Sequence, residues 1–154
     1  MLKIRPMQAT DIDACAQIMA ENDLWQRYNV TFESARQRLQ DGYEAGADIL
    51  VADEEGSLAG FVWYVTRGVF QRSGYIMLIG VNPQVQSRGV GAKILKAAEE
   101  IMAASVADVF LLVSDFNQRG QTFYAKNGYV QIGSISDYVI PGIDELIFQK
   151  KIRS

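Results

Sequence analysis

The stretch best equipped to do chemistry carries almost no reactive side chain: Val81-Asn82-Pro83-Gln84-Val85-Gln86-Ser87-Arg88-Gly89-Val90-Gly91-Ala92. It reads as a strand end, a turn, and a helix whose first turn is nearly bare. The first N–H groups of a helix have no intrahelical partner, and the helix dipole is positive there. Gly89 and Gly91 let an anion come close to that backbone, and Arg88 sets a permanent positive charge beside it. The chemistry implied is the holding of a diphosphate, or of a group with equal charge and width. Two familiar phosphate loops do not fit. A P-loop needs Gly-Lys-Ser/Thr, whereas Lys93 is followed by Ile94 and no glycine stands where the loop must begin. A dinucleotide fingerprint needs a small residue where Ile94 stands, and its first glycine should directly follow the strand that here ends at Val81. A glycine-rich helix start packed on a close strand is the alternative that needs no ligand.

Composition narrows the remaining chemistry. The 154 residues suit one domain, and 15 basic against 18 acidic residues give a net charge of −3. With 49% hydrophobic residues there is enough apolar material for a core. The mild, unclustered acidity does not suit a general nucleic-acid binder. Histidine is absent, which excludes an imidazole base, a Ser-His dyad and a His-based metal site. The single cysteine, Cys15, can form neither an intrachain disulfide nor a thiolate cage, and no metal is expected. No apolar run is long enough to span a membrane and the N-terminus lacks a signal-peptide form, so a single cytoplasmic domain over residues 1–154 with no membrane partner is expected.

The elements that must position the nest follow from periodicity. Leu2 to Arg5 reads as a strand ended by Pro6, followed by a helix capped at Thr10 with Ile12, Cys15, Ala16 and Met19 on its buried face. A second helix runs from Thr31 to about Tyr43, after an aromatic-rich connector from Asn22 to Val30. Ile49–Asp53 and Leu58–Thr66 form a hairpin, and Tyr75–Val81 is a further buried strand. The helix from Gly89 places Val90, Ile94, Ala98 and Ile101 on one face. Val109–Val113 is another strand, Gln118–Lys126 a short helix stopped by Asn127-Gly128, and Tyr129–Ser136 and Glu145–Ile152 the last two strands. Only the strands joined through the Gly89 helix need be parallel. The fold class is α/β: a mixed, mostly antiparallel twisted sheet of about seven strands with helices on both faces.

Gln86-x-x-Gly89-x-Gly91-Ala92, after a strand ending in Val81-x-Pro83, resembles the coenzyme A pyrophosphate loop of the GNAT superfamily of N-acetyltransferases. Asn117 with Phe123-Tyr124-x-Lys126-x-Gly128-Tyr129 resembles that superfamily's second nucleotide-side motif, and Ile4-Arg5-Pro6 with Thr10-Asp11 its opening strand and first helix. The resemblance runs from about Leu2 to Ile152 and implies the GNAT-like acyl-CoA N-acyltransferase fold. It implies acetyl-CoA as co-substrate, with the backbone from Gln86 through Ser87, Arg88, Gly89, Val90 and Gly91 to Ala92 holding the pyrophosphate. The strands ending at Val81 and near Ser114 would splay, with the pantetheine arm between them. A backbone N–H near Ile79, Gly80 or Val81 would polarise the thioester carbonyl. Asn117 would bond the arm and Lys126 meet a phosphate. Tyr124, a phenol protonated at neutral pH, would donate to the departing thiolate.

No acid stands on Tyr75–Val81, where many members of the superfamily place a glutamate base. Asp115, Asp137, Glu21 and Asp23 are other acids, and none is singled out as the base. The acceptor is expected to be a small-molecule amine or a peptide N-terminus, bordered by Trp25, Tyr28 and Tyr138. Homodimers are frequent in the superfamily, but no residue decides the point here. The competing reading is a non-catalytic acyl-CoA-binding regulatory or sensor module, motivated by the missing strand acid.

Overall fold

Alternation of apolar residues, punctuated by glycine turns, produces seven strands. The structure, a computed structural model, describes residues 1–153, with the side chains of 86–88 outside the described residues. The strands are β1 (Leu2–Pro6), β2 (Asp48–Glu54), β3 (Ser57–Val69), β4 (Ser73–Val81), β5 (Asp108–Ser114), β6 (Val130–Ile135) and β7 (Glu145–Lys151). The helices are α1 (Ile12–Ala20), α2 (Asp23–Arg27), α3 (Phe32–Glu44), α4 (Val90–Met102) and α5 (Gln118–Lys126). One seven-stranded sheet has the order β1-β2-β3-β4-β5-β7-β6. β4 and β5, joined through α4, pair in parallel at Gly74–Val109 and Tyr75–Phe110, as a helical crossover requires. The β1–β2, β2–β3, β5–β7 and β6–β7 pairs are antiparallel. The mixed sheet expected from the sequence is therefore observed.

By its contacts the chain divides into two compact units, residues 1–65 with 78–98, and residues 66–77 with 99–154. In the first unit, the β2–β3 hairpin turns through Glu55 and Gly56, both at positive φ, with the Asp53 carboxylate accepting the Gly56 N–H at 2.8 Å. Two layers pack on opposite sides of β3. A Cβ on Gly60 would meet Val90 and Ile94 of α4, and the next residue, Phe61, stacks with Trp25 of α2 at 6.4 Å. Arg5 ties β1 to the following turn and to β2, reaching Asp11 at 2.7 Å and Asp53 at 3.1 Å. In the second unit, Val109, Leu111 and Val113 of β5 are buried, as are Met102, Val106 and Phe148. No helix of the described residues is long and apolar enough to cross a membrane.

Four local expectations need correcting. Thr10 does not cap the first helix: it lies inside a 3-10 turn, Ala9–Asp11, and the Asp11 carboxylate accepts the Gln8 N–H instead, at 2.8 Å. Part of the connector 22–30 is helical, because Asn22 caps α2 by accepting the Leu24 N–H. The polar loop before Gly89 is a 3-10 turn, Pro83–Arg88, started by the Asn82 side chain accepting the Gln84 N–H. Ile101 is 49% exposed, and Leu95 and Met102 take its place on the buried face of α4. At a period of 3.6 the step from Ala98 can be three, to Ile101, as readily as four, to Met102, and the spacing alone does not choose.

Candidate functional site

The first unit contains the nest. Asn82 anchors its approach: its N–H donates to the Ala59 carbonyl at 2.8 Å, fixing the end of β4 against β3. Gly89 ends the 3-10 turn in the left-handed region, φ 72°, with open space where a side chain would stand. A residue with a Cβ would be strained there, which accounts for the glycine. α4 begins at the next residue, and the Lys93 N–H donates to the Gly89 carbonyl at 3.2 Å. The N–H groups of Val90, Gly91 and Ala92 form the first turn of α4, the position where a helix has no intrahelical partner for its donors. Gly89 is exposed, Ala92 half-buried, and Val90 and Gly91 buried, with the Val90 side chain turned to Gly60. The side chains of Gln86, Ser87 and Arg88, and with them the charge expected of Arg88, lie outside the described residues.

Ile79, Gly80 and Val81 form the end of β4. Gly80 has a packing reason to be glycine besides any bulge. A Cβ there would stand 2.7 Å from Phe61, 3.1 Å from Trp25 and 3.2 Å from Ile18, so the α1–α2 layer lies directly on the strand. Trp25, read as a wall of an acceptor site, is thus buried beneath α2.

The second unit contains Tyr124, on α5, with its ring buried among Phe123 at 5.1 Å, Tyr129 at 5.8 Å and Phe148 at 6.4 Å. Burial pushes its phenol well above the ordinary range, so it stays protonated at neutral pH. α5 ends in the expected stop: Gly128 has φ 93°, and the Tyr129 N–H returns to the Tyr124 carbonyl at 3.0 Å. Asn117 caps the start of α5, its carbonyl oxygen accepting the Gly120 N–H at 2.9 Å. Its amide N–H groups make no hydrogen bond among the described residues and are the part able to reach a ligand. Lys126 lies on the outer face of α5, where Gln118, Arg119, Thr122 and Phe123 join it around an open cleft of about 470 Å³. Arg119 escaped the sequence reading, although its spacing of seven from Lys126 puts both cations on one helix face.

Three of the acids considered as bases have structural or exposed positions. Asp115 accepts the Asp144 N–H at 3.0 Å and Asp137 accepts the Gly142 N–H at 2.6 Å, so both tie the β6–β7 turn. Asp23 lies in the first turn of α2, exposed. Tyr138 is largely exposed on the same β6–β7 turn. A cluster the sequence did not suggest is Glu99, Tyr129 and Lys150: the buried Glu99 carboxylate accepts from the Tyr129 hydroxyl at 2.7 Å and from the Lys150 ammonium at 2.8 Å. Cys15 is fully buried and its thiol pushed up to about 12, chiefly by burial, so it is not a nucleophile.

Known proteins resemble both the chain and its fold. A mycothiol acetyltransferase of Propionibacterium freudenreichii is 29% identical over 112 residues, covering 71% of this chain and 36% of that protein. The chain spans about a third of the length of the curated relatives it matches. Among solved structures, the ribosomal-protein-S18-alanine N-acetyltransferase of Escherichia coli superposes with a TM-score of 0.80 at 18% identity, covering 100% of this chain and 96% of that one. The PaiA N-acetyltransferase of Thermoplasma acidophilum, solved with coenzyme A, gives 0.74 at 18% identity, over 98% and 99%. The family model described as acetyltransferase (GNAT) family matches residues 18–129, the span that holds α4 with its nest and α5 with Tyr124. This chain belongs to the GNAT acetyltransferase family.

Proposed function

We propose that the chain transfers an acetyl group from acetyl-CoA to a primary amine, residues 1–154 acting as one N-acetyltransferase domain. The observation that carries the reading is the left-handed Gly89, with nothing among the described residues where a side chain would be, immediately before the first turn of α4. Such a helix start fits a pyrophosphate in charge and in width. The backbone from Gln86 to Ala92 holds it, with Arg88 and Lys126 offering charge. A backbone N–H of Ile79, Gly80 or Val81 polarises the thioester carbonyl. Asn117 contributes through its amide N–H groups, since its oxygen is taken by Gly120.

In the reaction the amine nitrogen attacks the carbonyl carbon, and the carbonyl electron pair moves to oxygen. Its return expels sulfur as a thiolate, and the surplus ammonium proton passes to water. Tyr124 is the donor to that sulfur. Its phenol sits above the ordinary range, whereas a free thiol titrates near about 8.5, so a lasting proton transfer would run uphill. Tyr124 therefore stabilises the developing thiolate as a hydrogen-bond donor, and solvent completes the protonation. No covalent enzyme intermediate is needed. The acceptor is a small-molecule amine or a peptide N-terminus, and the lone cysteine suits a reducing cytoplasm.

The test pairs calorimetric titration with acetyl-CoA and turnover measured by thiol release. Tyr124→Phe is expected to lower kcat about 100-fold while acetyl-CoA binding is kept. An unchanged kcat would remove Tyr124 from the mechanism. Failure of the unmodified protein to bind acetyl-CoA would remove the reading as a whole.

A further inference from the structure

Tyr124 makes no hydrogen bond through its hydroxyl among the described residues, so what aims that hydroxyl must act on its ring and backbone. Tyr129 acts on both. Its ring meets the Tyr124 ring edge-on at 5.8 Å, and its N–H bonds the Tyr124 carbonyl at 3.0 Å. Tyr129 is itself held at the far end, where its hydroxyl donates to Glu99 at 2.7 Å. The second oxygen of Glu99 takes the Lys150 ammonium at 2.8 Å, so the carboxylate has no free edge on which to turn away. Lys150 also lies 5.7 Å over the Tyr129 ring, and its stem runs under Gly128, where a Cβ would come within 3.2 Å of it. All these groups lie in the second unit.

We propose that Glu99 and Tyr129 are positioning residues for Tyr124, a bracket that holds the phenol where the thiolate develops. The proposal rests on the reading of Tyr124 as the donor to sulfur. A plain core would not call for this arrangement: a phenylalanine at 129 would fill the same space without burying a carboxylate beside a half-buried lysine to anchor one hydroxyl. Burial, with the Glu99 charge beside it, holds the Tyr129 phenol above its ordinary range, so it remains a donor to Glu99 wherever the enzyme works. The positioning matters because a displacement of about 1 Å at a reacting group can cost about 100-fold in rate.

The experiment is a double-mutant cycle between positions 124 and 129, with acetyl-CoA and whichever of spermidine, kanamycin or an alanyl peptide turns over fastest. Tyr129→Phe is expected to lower kcat about tenfold with KM for acetyl-CoA unchanged. In a Tyr124→Phe background the same change is expected to cost nothing further, a non-additivity that general loosening of the fold would not produce. Glu99→Gln keeps an oxygen for the Tyr129 hydroxyl and is expected to retain most of the rate. It also keeps the question answerable should Tyr129→Phe fold poorly, which thermal melting would reveal. Two outcomes overturn the bracket alone: full kcat in Tyr129→Phe while Tyr124→Phe is slow, or an equal loss in both backgrounds. A Tyr124→Phe enzyme of unchanged kcat overturns the donor reading and the bracket together, and so is told apart from the first two.

Discussion

On the proposed function, the two units would contribute to the chemistry by opposite means. Around Gly89, in the first, the groups proposed to work are backbone N–H donors, and the feature that would let a ligand approach is the missing side chain of the exposed Gly89. Around Tyr124, in the second, the group proposed to work is a side chain, and what surrounds it is an abundance of others: Phe123, Tyr129, Phe148, and beyond them Glu99 and Lys150. A site made of backbone is damaged by adding atoms, and a site made of side chains by removing them. This difference sets the direction of every substitution below.

The largest effect is expected from adding an atom where backbone already fills the space. A Cβ on Gly60 would stand 2.8 Å from the Gly80 carbonyl oxygen, which belongs to β4 and cannot swing aside. Gly60→Ala should cost about 2–3 kcal/mol, lowering the melting temperature by about 4–10 °C. An unchanged melting temperature would mean that the end of β4 can shift, and with it the strand that precedes the nest. At Gly89 space is open and only φ matters. Gly89→Ala should weaken acetyl-CoA binding about tenfold, on a strain of about 1–2 kcal/mol in the left-handed region. Gly89→Asn, which tolerates that region, should recover much of the affinity by calorimetry. Equal loss in both variants would show that the added side chain, not the backbone strain, blocks the ligand.

What the sequence made legible follows the same division. The helix start at Gly89 was readable because glycine spacing states a backbone requirement directly, and Asn127-Gly128 ended α5 at the expected place for the same reason. The mixed sheet was readable from apolar alternation, with its parallel pair implied by the crossover through α4. The Glu99–Tyr129–Lys150 cluster was not readable. Its members are separated by 30 and 51 positions, and each taken alone is an unremarkable surface or core residue type. Trp25 was misread as site lining because an aromatic in a connector looks exposed until α2 folds it onto Phe61 and Gly80. Ile101 was misplaced because helical periodicity admits two neighbouring faces, and only the packing of Leu95 and Met102 selects one.

The smallest effects are expected in the pH dependence of stability, where Asp11 of the first unit and Tyr129 of the second should respond at opposite ends of the scale. In the first unit the Arg5 guanidinium holds the Asp11 carboxyl below the ordinary carboxylate range, against the opposing effect of burial. The folded state then binds that proton less readily than the unfolded chain. The stabilisation is complete above the ordinary value of about 4 and is lost as pH falls through the lower folded value. In the second unit Tyr129 and Tyr124 are held above the ordinary phenol range, chiefly by burial. Their folded state keeps the proton, so stabilisation is complete below about pH 10 and is lost as pH rises beyond it. Urea unfolding across both limbs separates the two. Asp11→Asn should flatten the acid limb, and Tyr129→Phe should lessen the alkaline limb, to which Tyr124, Cys15 and Tyr64 also contribute. A Tyr129→Phe variant that altered the acid limb would show that the state of Tyr129 is felt at Asp11, and the separation of the two chemistries would have to be abandoned.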